Sequence, residues 1–323
     1  MLIKSRITDL LTGHLSDQDA YQVLLDLSRA PLDASVLKEC VDHLRQNNKE
    51  YAYKEHELID CCGTGGSGLP HFNTSTAVAF VLAAGGIKVA KFGNRSVTGR
   101  SGSFDFLEYL KVPVISNKES ILNLLDSTNL VFLYAGDFYP NITALSHIRK
   151  AIGHQTIINF IAPLLNPLNP GFRLLGTSTR KSQIAIANYL NEDANNKCSF
   201  VVHCKNGLDE LCSGASNHIL QVDNQGIKEK ELSFTAIEQN FIRTMKFTPQ
   251  ENVSMFNEVI NNFDSAPVYI RSLITLNAGA GFLVFGKVKN LGDGKDLAKA
   301  LLISGAVREK VNQCRRIYAK YSK

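Results

Sequence analysis

The chain has 323 residues, with 44% hydrophobic and 20% charged residues and a formal net charge of +5. This composition excludes a disordered or fibrous chain, and the length is enough for a large core and two domains. The mild positive balance suits a small anionic substrate as well as nucleic acid, so charge alone selects neither.

From the start to about residue 57 the pattern is helical and no strand is evident. Ile7, Leu10 and Leu11 recur at helical spacing. Ser16, with Asp17 and Asp19 behind it, predicts the cap of a second helix carrying Tyr21, Leu24, Leu25 and Leu27. Val36, Leu37, Cys40, Val41 and Leu44 mark a third helix over 34–44. The expectation is a small helical domain over 1–57, completed by helices from later in the chain.

From Leu58 the character changes to short apolar runs alternating with helical patterns. Strand-like runs fall at 58–62, 88–91, 130–134, 155–160, 173–176, 199–204 and 219–222, with a helix at 75–84. Alternation of this kind predicts an α/β domain over 58–323 with a mostly parallel sheet. The stretch from Lys230 to Asp264 has no regular period. Ala278-Gly279-Ala280-Gly281 opens an apolar helix-like segment, and a single helix is expected over 294–321.

Seven scattered cysteines, none in a C-x-x-C pair, point to reduced thiols and a cytoplasmic setting. The beginning of the chain shows no secretory pattern. The most apolar run, 77–87, is too short for a bilayer span, which takes about 20 residues. No membrane partner is expected.

Three segments carry candidate chemistry. The first is Asp60-Cys61-Cys62-Gly63-Thr64-Gly65-Gly66-Ser67-Gly68, between a strand-like run and the helix start Asn73-Thr74-Ser75-Thr76. Its glycines allow tight turns and close approach of backbone N–H groups, and the helix start adds a positive dipole end, together an anion site. A plain strand–helix connection has the same composition. It is not a P-loop, since no Gly-Lys-Ser/Thr ending follows.

The second segment is Lys91-Phe92-Gly93-Asn94-Arg95-Ser96, followed by Thr98-Gly99-Arg100-Ser101-Gly102-Ser103-Phe104-Asp105. Lys91 closes a strand at the edge where α/β folds bind ligands. A solvated turn is the alternative. The third is Asn206-Gly207-Leu208-Asp209-Glu210, after the run ending at Cys204. Two adjacent carboxylates suit magnesium, which takes one or two carboxylates plus water and substrate phosphates. Adjacent acids are also common on surface loops.

In order and character these segments resemble the anthranilate phosphoribosyltransferase family. That family has a glycine loop followed by an Asn-x-Ser-Thr helix start, a Lys-His-Gly-Asn-Arg turn and an Asp-Gly-Leu-Asp-Glu segment. Further likenesses are Arg149-Lys150-Ala151-Ile152-Gly153, the 156–167 stretch with Asn159, Pro163, Asn166 and Pro167, and Asn277-Ala278. The resemblance covers nearly the whole chain. It implies a small helical domain joined to an α/β domain of the nucleoside phosphorylase/phosphoribosyltransferase type, with the site in the cleft.

It also implies site roles. Gly63, Thr64, Gly65, Gly66, Ser67 and Gly68 would cradle the diphosphate of phosphoribosyl pyrophosphate. Asn73, Ser75, Thr76, Lys91, Asn94 and Ser103 would contact the same donor. Gly63, Asn94 and Arg149 would meet the acceptor, with Arg149 on its carboxylate. Ser75, Asp209 and Glu210 would hold Mg2+. No general base is assigned, because the amine of anthranilate is already neutral at pH 7. A homodimer through the helical domain and a place in tryptophan biosynthesis are further implications.

The sequence departs from the family at Ser67 (usually Asp), Phe92 (His), Gln155 (Arg) and Ala162 (Gly), and across Tyr134-Ala135-Gly136-Asp137-Phe138-Tyr139-Pro140-Asn141. These changes cluster on the acceptor side, with Phe92, Gly136, Tyr139 and Asn141 expected around the acceptor. Two rival readings share the fold. One is a pyrimidine nucleoside phosphorylase, suggested by the glycine loop and Gly102–Asp105. The other is a non-catalytic nucleic-acid-binding paralogue, suggested by Arg308, Lys310, Arg315, Arg316, Lys320 and Lys323.

Overall fold

The structure is a computed structural model that describes residues 2–51, 53, 57–96, 101–234 and 246–321. Its centre is a seven-stranded sheet in the order β3-β2-β1-β4-β5-β6-β7. The strands are β1 (Ile59–Gly63), β2 (Val89–Gly93), β3 (Leu130–Tyr134), β4 (Phe172–Gly176), β5 (Cys198–Cys204), β6 (Ser216–Asp223) and β7 (Gly226–Ser233). The first five are parallel; β6 and β7 run antiparallel.

Both faces of the parallel part are covered, which is why its strands read as continuous apolar runs. Side chains alternate between faces. Cys61, Val89, Phe132, Leu174 and Phe200 enter one core, with the helices Thr74–Ala84, Pro249–Asn261, Val268–Val284 and Ala306–Tyr318. Cys62, Ala90, Leu133, Leu175 and Val201 enter the other. That second core also takes in the N-terminal helices Leu2–Thr12, Asp17–Arg29 and Ala34–Arg45, through Leu10, Leu24 and Leu37.

The N-terminal helices form where the sequence predicts. The Ser16 side chain accepts from the Asp19 N–H, and Asp33 caps the third helix on Val36. Four expectations change. The 155–160 run is not a strand: Ile157–Ile161 is a helix, started by Thr156 and Asn159 in a reciprocal cap. Apolar periodicity cannot separate strand from helix over so few residues. The irregular 230–264 stretch contains the end of β7 and the helix Pro249–Asn261, capped by Thr248 and Glu251. β7 is an edge strand whose Lys228, Glu229, Lys230 and Glu231 are all exposed, so it lacks the apolar alternation that marks a strand.

Ala278–Gly281 does not open a helix. It lies inside Val268–Val284, where Gly279 meets the backbone of Gly294 and Lys295 at a distance no Cβ would permit. The expected helix over 294–321 is two helices, Leu291–Ile303 and Ala306–Tyr318, separated at Gly305 with φ +79°.

Candidate active site

The parallel strands end together, and their carboxyl ends line a cavity of about 560 Å³. This is the ligand side of an open parallel sheet, where the chain leaves each strand for a loop or helix start. β1 delivers the glycine loop, β2 delivers Lys91 to Ser96, and the turn after β5 delivers Asp209 and Glu210. Segments far apart in the chain thus converge on one space.

The glycine loop is held from three sides. Thr64 N–H donates to the Gly176 carbonyl at 2.9 Å, tying the loop to β4. Gly65 N–H donates to Asp209 Oδ2 at 2.7 Å. The Asn159 amide donates to the Thr64 carbonyl at 3.1 Å, and the Gln155 amide donates to the Gly65 carbonyl. Asp209 packs so closely that a Cβ on Gly63 or Gly176 would collide with it. Those glycines are required by close approach, whereas Gly65, Gly66 and Gly68 adopt positive φ of +61°, +69° and +71°.

Behind the loop, Asn73 begins the helix Thr74–Ala84. Its N–H donates to Asn252 Oδ1 at 2.8 Å, and its Oδ1 accepts from the Ser101 hydroxyl at 2.7 Å. The helix start is thereby fixed to the segment that carries Ser103. Lys91 is buried, with Nζ donating to the Phe92 carbonyl at 2.8 Å and near Ser103 Oγ at 3.5 Å. Beneath it lies Asp60, fully buried, which accepts from Phe92 N–H and from Asn166. Burial pushes the Asp60 carboxyl up, and Lys91 is the largest influence against that rise.

The acid turn is clamped by Asn277, whose amide donates to the Leu211 carbonyl at 2.8 Å and accepts from the Leu211 N–H at 3.0 Å. Burial pushes the Glu210 carboxyl up to about 8, against the pull of His71 and Thr74. Its Oε1 is buried without a hydrogen-bond partner among the described residues. Burial pulls the His71 imidazole down, but Asp209 and Glu210 outweigh burial and hold its pKa above the ordinary value. A second cation at this place would satisfy both the orphaned oxygen and the crowded negative charge.

Arg149, on the helix Ser146–Ile152, lines the same cavity. One guanidinium nitrogen donates to Asn159 Oδ1 at 3.2 Å, while Nε is buried without a partner among the described residues. Burial lowers its pKa to about 10, which leaves it charged at neutral pH. The cavity wall also includes the apolar side chains of Phe92, Ile142, Ile158, Pro163 and Leu165. An arginine with free donors in an apolar pocket is a receptor for a planar carboxylate.

The family model for the glycosyl transferase family, a/b domain, matches residues 55–308. The anthranilate phosphoribosyltransferase of Syntrophomonas wolfei is 31% identical over 317 residues, covering 92% of each chain. The chain belongs to the anthranilate phosphoribosyltransferase family. The enzyme of that name from Lactococcus lactis is 32% identical over 94% of this chain and 90% of its own. Among solved structures, the anthranilate phosphoribosyltransferase of Thermus thermophilus has a TM-score of 0.85 at 27% identity, covering 98% of this chain and 94% of its own. The Saccharomyces cerevisiae enzyme, solved in complex with phosphoribosyl pyrophosphate and magnesium, shares the fold with a TM-score of 0.84 at 22% identity, covering 97% of this chain and 91% of its own.

Within this member of the anthranilate phosphoribosyltransferase family, all but one of the residues expected to bind the donor, the acceptor's carboxylate or the metal line the cavity. The exception is Thr76, which is fully buried with its hydroxyl unpartnered among the described residues. One step along a helix turns a side chain by about 100°, so Ser75 faces the cavity and Thr76 faces the core. On the acceptor side, Phe92 and Tyr139 line the cavity, but Gly136 and Asn141 do not. Tyr139 turns inward, its hydroxyl donating to the Leu165 carbonyl at 2.7 Å and its ring edge-on to Phe92 at 6.0 Å. Asn141 instead donates to the Thr12 carbonyl at 3.1 Å.

Thr98, Gly99, Arg100 and Lys323 lie outside the described residues. Of the C-terminal basic residues, Lys310 donates to the Thr128 carbonyl and Arg315 to the Leu110 carbonyl, which anchors the last helix to the α/β body. Arg316 pairs with Glu309. The side chains to which sequence reading gave no role are His71, Asn252 and Asp60. Asn252 holds backbone groups and Asp60 holds the Phe92 N–H and the Asn166 amide, and no local pattern distinguishes them from ordinary core polar residues.

Proposed function

We propose that this chain transfers the phosphoribosyl group of phosphoribosyl pyrophosphate to the amine of anthranilate, releasing pyrophosphate, a step of tryptophan biosynthesis. The observation that carries this reading is the layout of the cavity. An N–H-rich loop, Lys91 and two carboxylates line the same cavity as Arg149 and a set of apolar side chains, and Asn159 links Arg149 to the loop.

The loop from Gly63 to Gly68, with Asn73, Ser75, Lys91 and Ser103, binds the donor's diphosphate and phosphate. Asn94 and Gly63 lie between the donor and acceptor, and Arg149 orients the acceptor carboxylate. The amine's lone pair forms the new bond to C1 of the ribose as the bond from C1 to the diphosphate oxygen breaks, and pyrophosphate leaves with that electron pair. The nitrogen then loses a proton to solvent. The amine is neutral at pH 7, so holding it behind C1 replaces base catalysis.

The carboxylate pair fits magnesium. Among the described residues no group of three acids, histidines or cysteines forms a self-sufficient metal cage. Magnesium binds through one or two carboxylates and completes its shell with water and phosphate oxygens. Asp209, Glu210 and Ser75 would hold it, and when bound it neutralises charge on the departing diphosphate. Lys91 and the loop N–H groups stabilise the same charge from fixed positions.

No helix among the described residues is long and apolar enough to cross a membrane. A cytoplasmic homodimer, with residues 1–57 and the helices of 140–161 as a small helical unit beside the α/β body, completes the proposal. The test is pyrophosphate release from protein, phosphoribosyl pyrophosphate and magnesium against a panel of aminobenzoates. Release that depends on an ortho-amino acid supports the reading; release with none of them overturns it. Sedimentation tests the dimer.

A further inference from the structure

We infer that Gln155 is a positioning residue that aims the glycine loop at the donor's diphosphate, an inference that rests on the donor reading above. Gln155 lies in the connection between the helix bearing Arg149 and the short helix bearing Asn159. Its amide has two partners with opposite needs. The Gly65 carbonyl can only accept, so it faces Nε2, and the Ser178 hydroxyl donates to Oε1 at 3.0 Å. The amide is therefore held in one orientation, bridging the glycine loop to Ser178, the second residue after β4.

Gly65 is gripped at both ends. Its N–H goes to Asp209 at 2.7 Å and its C=O to Gln155. In a trans peptide the carbonyl and the next N–H point in opposite directions. Fixing the Gly65 carbonyl on Gln155 therefore turns the Gly66 N–H away from Gln155. That N–H has no protein acceptor among the described residues, while the Gly65 N–H is already used. Gly66 also lies so close beneath Gln155 that an added Cβ would be 2.5 Å from its Cγ. Gln155 thus sets which loop amide is free for an anionic oxygen, and it does so by a donor that the loop itself cannot supply.

The probe is magnesium pyrophosphate, which carries the diphosphate without the ribose. In Gln155→Glu the size is kept but the donor is replaced by a carboxylate that repels the Gly65 carbonyl. Calorimetry should give a Kd for magnesium pyrophosphate raised about ten-fold, the loss of one well-placed hydrogen bond. The KM for phosphoribosyl pyrophosphate should rise in parallel, with the anthranilate KM changed by less than about two-fold and the melting temperature within about 2 °C. Ser178→Ala frees the amide to rotate and should shift pyrophosphate affinity in the same direction by about three-fold. It carries the test if the glutamate variant does not fold. Unchanged pyrophosphate affinity in the folded variants, or equal rises in both KM values, overturns the inference. Wild-type protein that does not bind magnesium pyrophosphate at all faults the donor reading itself.

Discussion

Asp209 accepts the Gly65 N–H at 2.7 Å although 144 residues separate the two. The contact joins the turn after β5 to the loop after β1, with β4 between them in the sheet. It brings a carboxylate to the edge of the anion-binding loop, where it shares space with the glycines around it.

That crowding separates two glycines that look alike in sequence. Gly65 has φ +61° and open space around a would-be Cβ, so Gly65→Ala is expected to cost about 1–2 kcal/mol from backbone strain alone. Gly176 lies against the backbone of Asp209, which would have to move to admit a methyl group. Gly176→Ala should lower the melting temperature further and remove activity. A Gly176→Ala protein as stable and active as wild type would contradict this packing.

The acid pair should matter to turnover more than to the fold. Asp209→Asn with Glu210→Gln retains size and hydrogen-bonding capacity but removes both carboxyl groups that would hold the metal. Turnover in magnesium should fall by about 100-fold or more, with near-normal far-ultraviolet circular dichroism. Retained activity would place the metal elsewhere.

Phosphoribosyl pyrophosphate should raise the melting temperature, and raise it more with magnesium, because the ligand binds only the folded state. Thermal melts at about 100 times the dissociation constant should show about 2.7 kcal/mol of added stability. No shift at millimolar donor would favour the phosphorylase or nucleic-acid readings.

Arg149→Ala tests the acceptor end. Loss of a charged hydrogen-bonding partner costs about 1.5–3 kcal/mol, so the anthranilate KM should rise at least about ten-fold. The donor KM should change little. The inward Tyr139 and its contact with Phe92 narrow the ring pocket, so substituted anthranilates should be discriminated by ring position. Equal losses for both substrates would make Arg149 a support of the loop through Asn159.

A prediction away from the site concerns acid stability. Asp193 lies 3.4 Å from Arg45 and 3.9 Å from the fully buried Arg173. Burial alone would raise its carboxyl pKa, but Arg173 and Arg45 outweigh burial and hold it below the usual range. A lowered folded value means stability that is fully present above the unfolded carboxylate pKa and is lost as pH falls through the folded one. Asp193→Asn leaves Arg173 buried with a weaker partner and should cost about 3 kcal/mol at pH 7. Urea melts from pH 7 to 3 should show that the variant has the flatter acid limb.

Sequence alone determined the local chemistry. The glycine loop and the Asp209-Glu210 pair follow strand-like runs that form β1 and β5, and Lys91 lies in the run that forms β2, because residue type and short periodicities act over a few neighbours. The helical cap at Ser16 was legible for the same reason. Tertiary structure decided the rest. Ile157 and Ile158 read as strand until Thr156 and Asn159 close a helical cap against the glycine loop. β7 has no apolar stripe to announce it, since its pairing with β6 is made by backbone hydrogen bonds. Thr76 points to the core because helix geometry turns it from the face Ser75 presents, and Asn141 bonds to Thr12 across the helical layer. Above all, the order of strands brings Asp209 to Gly65. That proximity depends on pairing between distant segments, which no local pattern encodes.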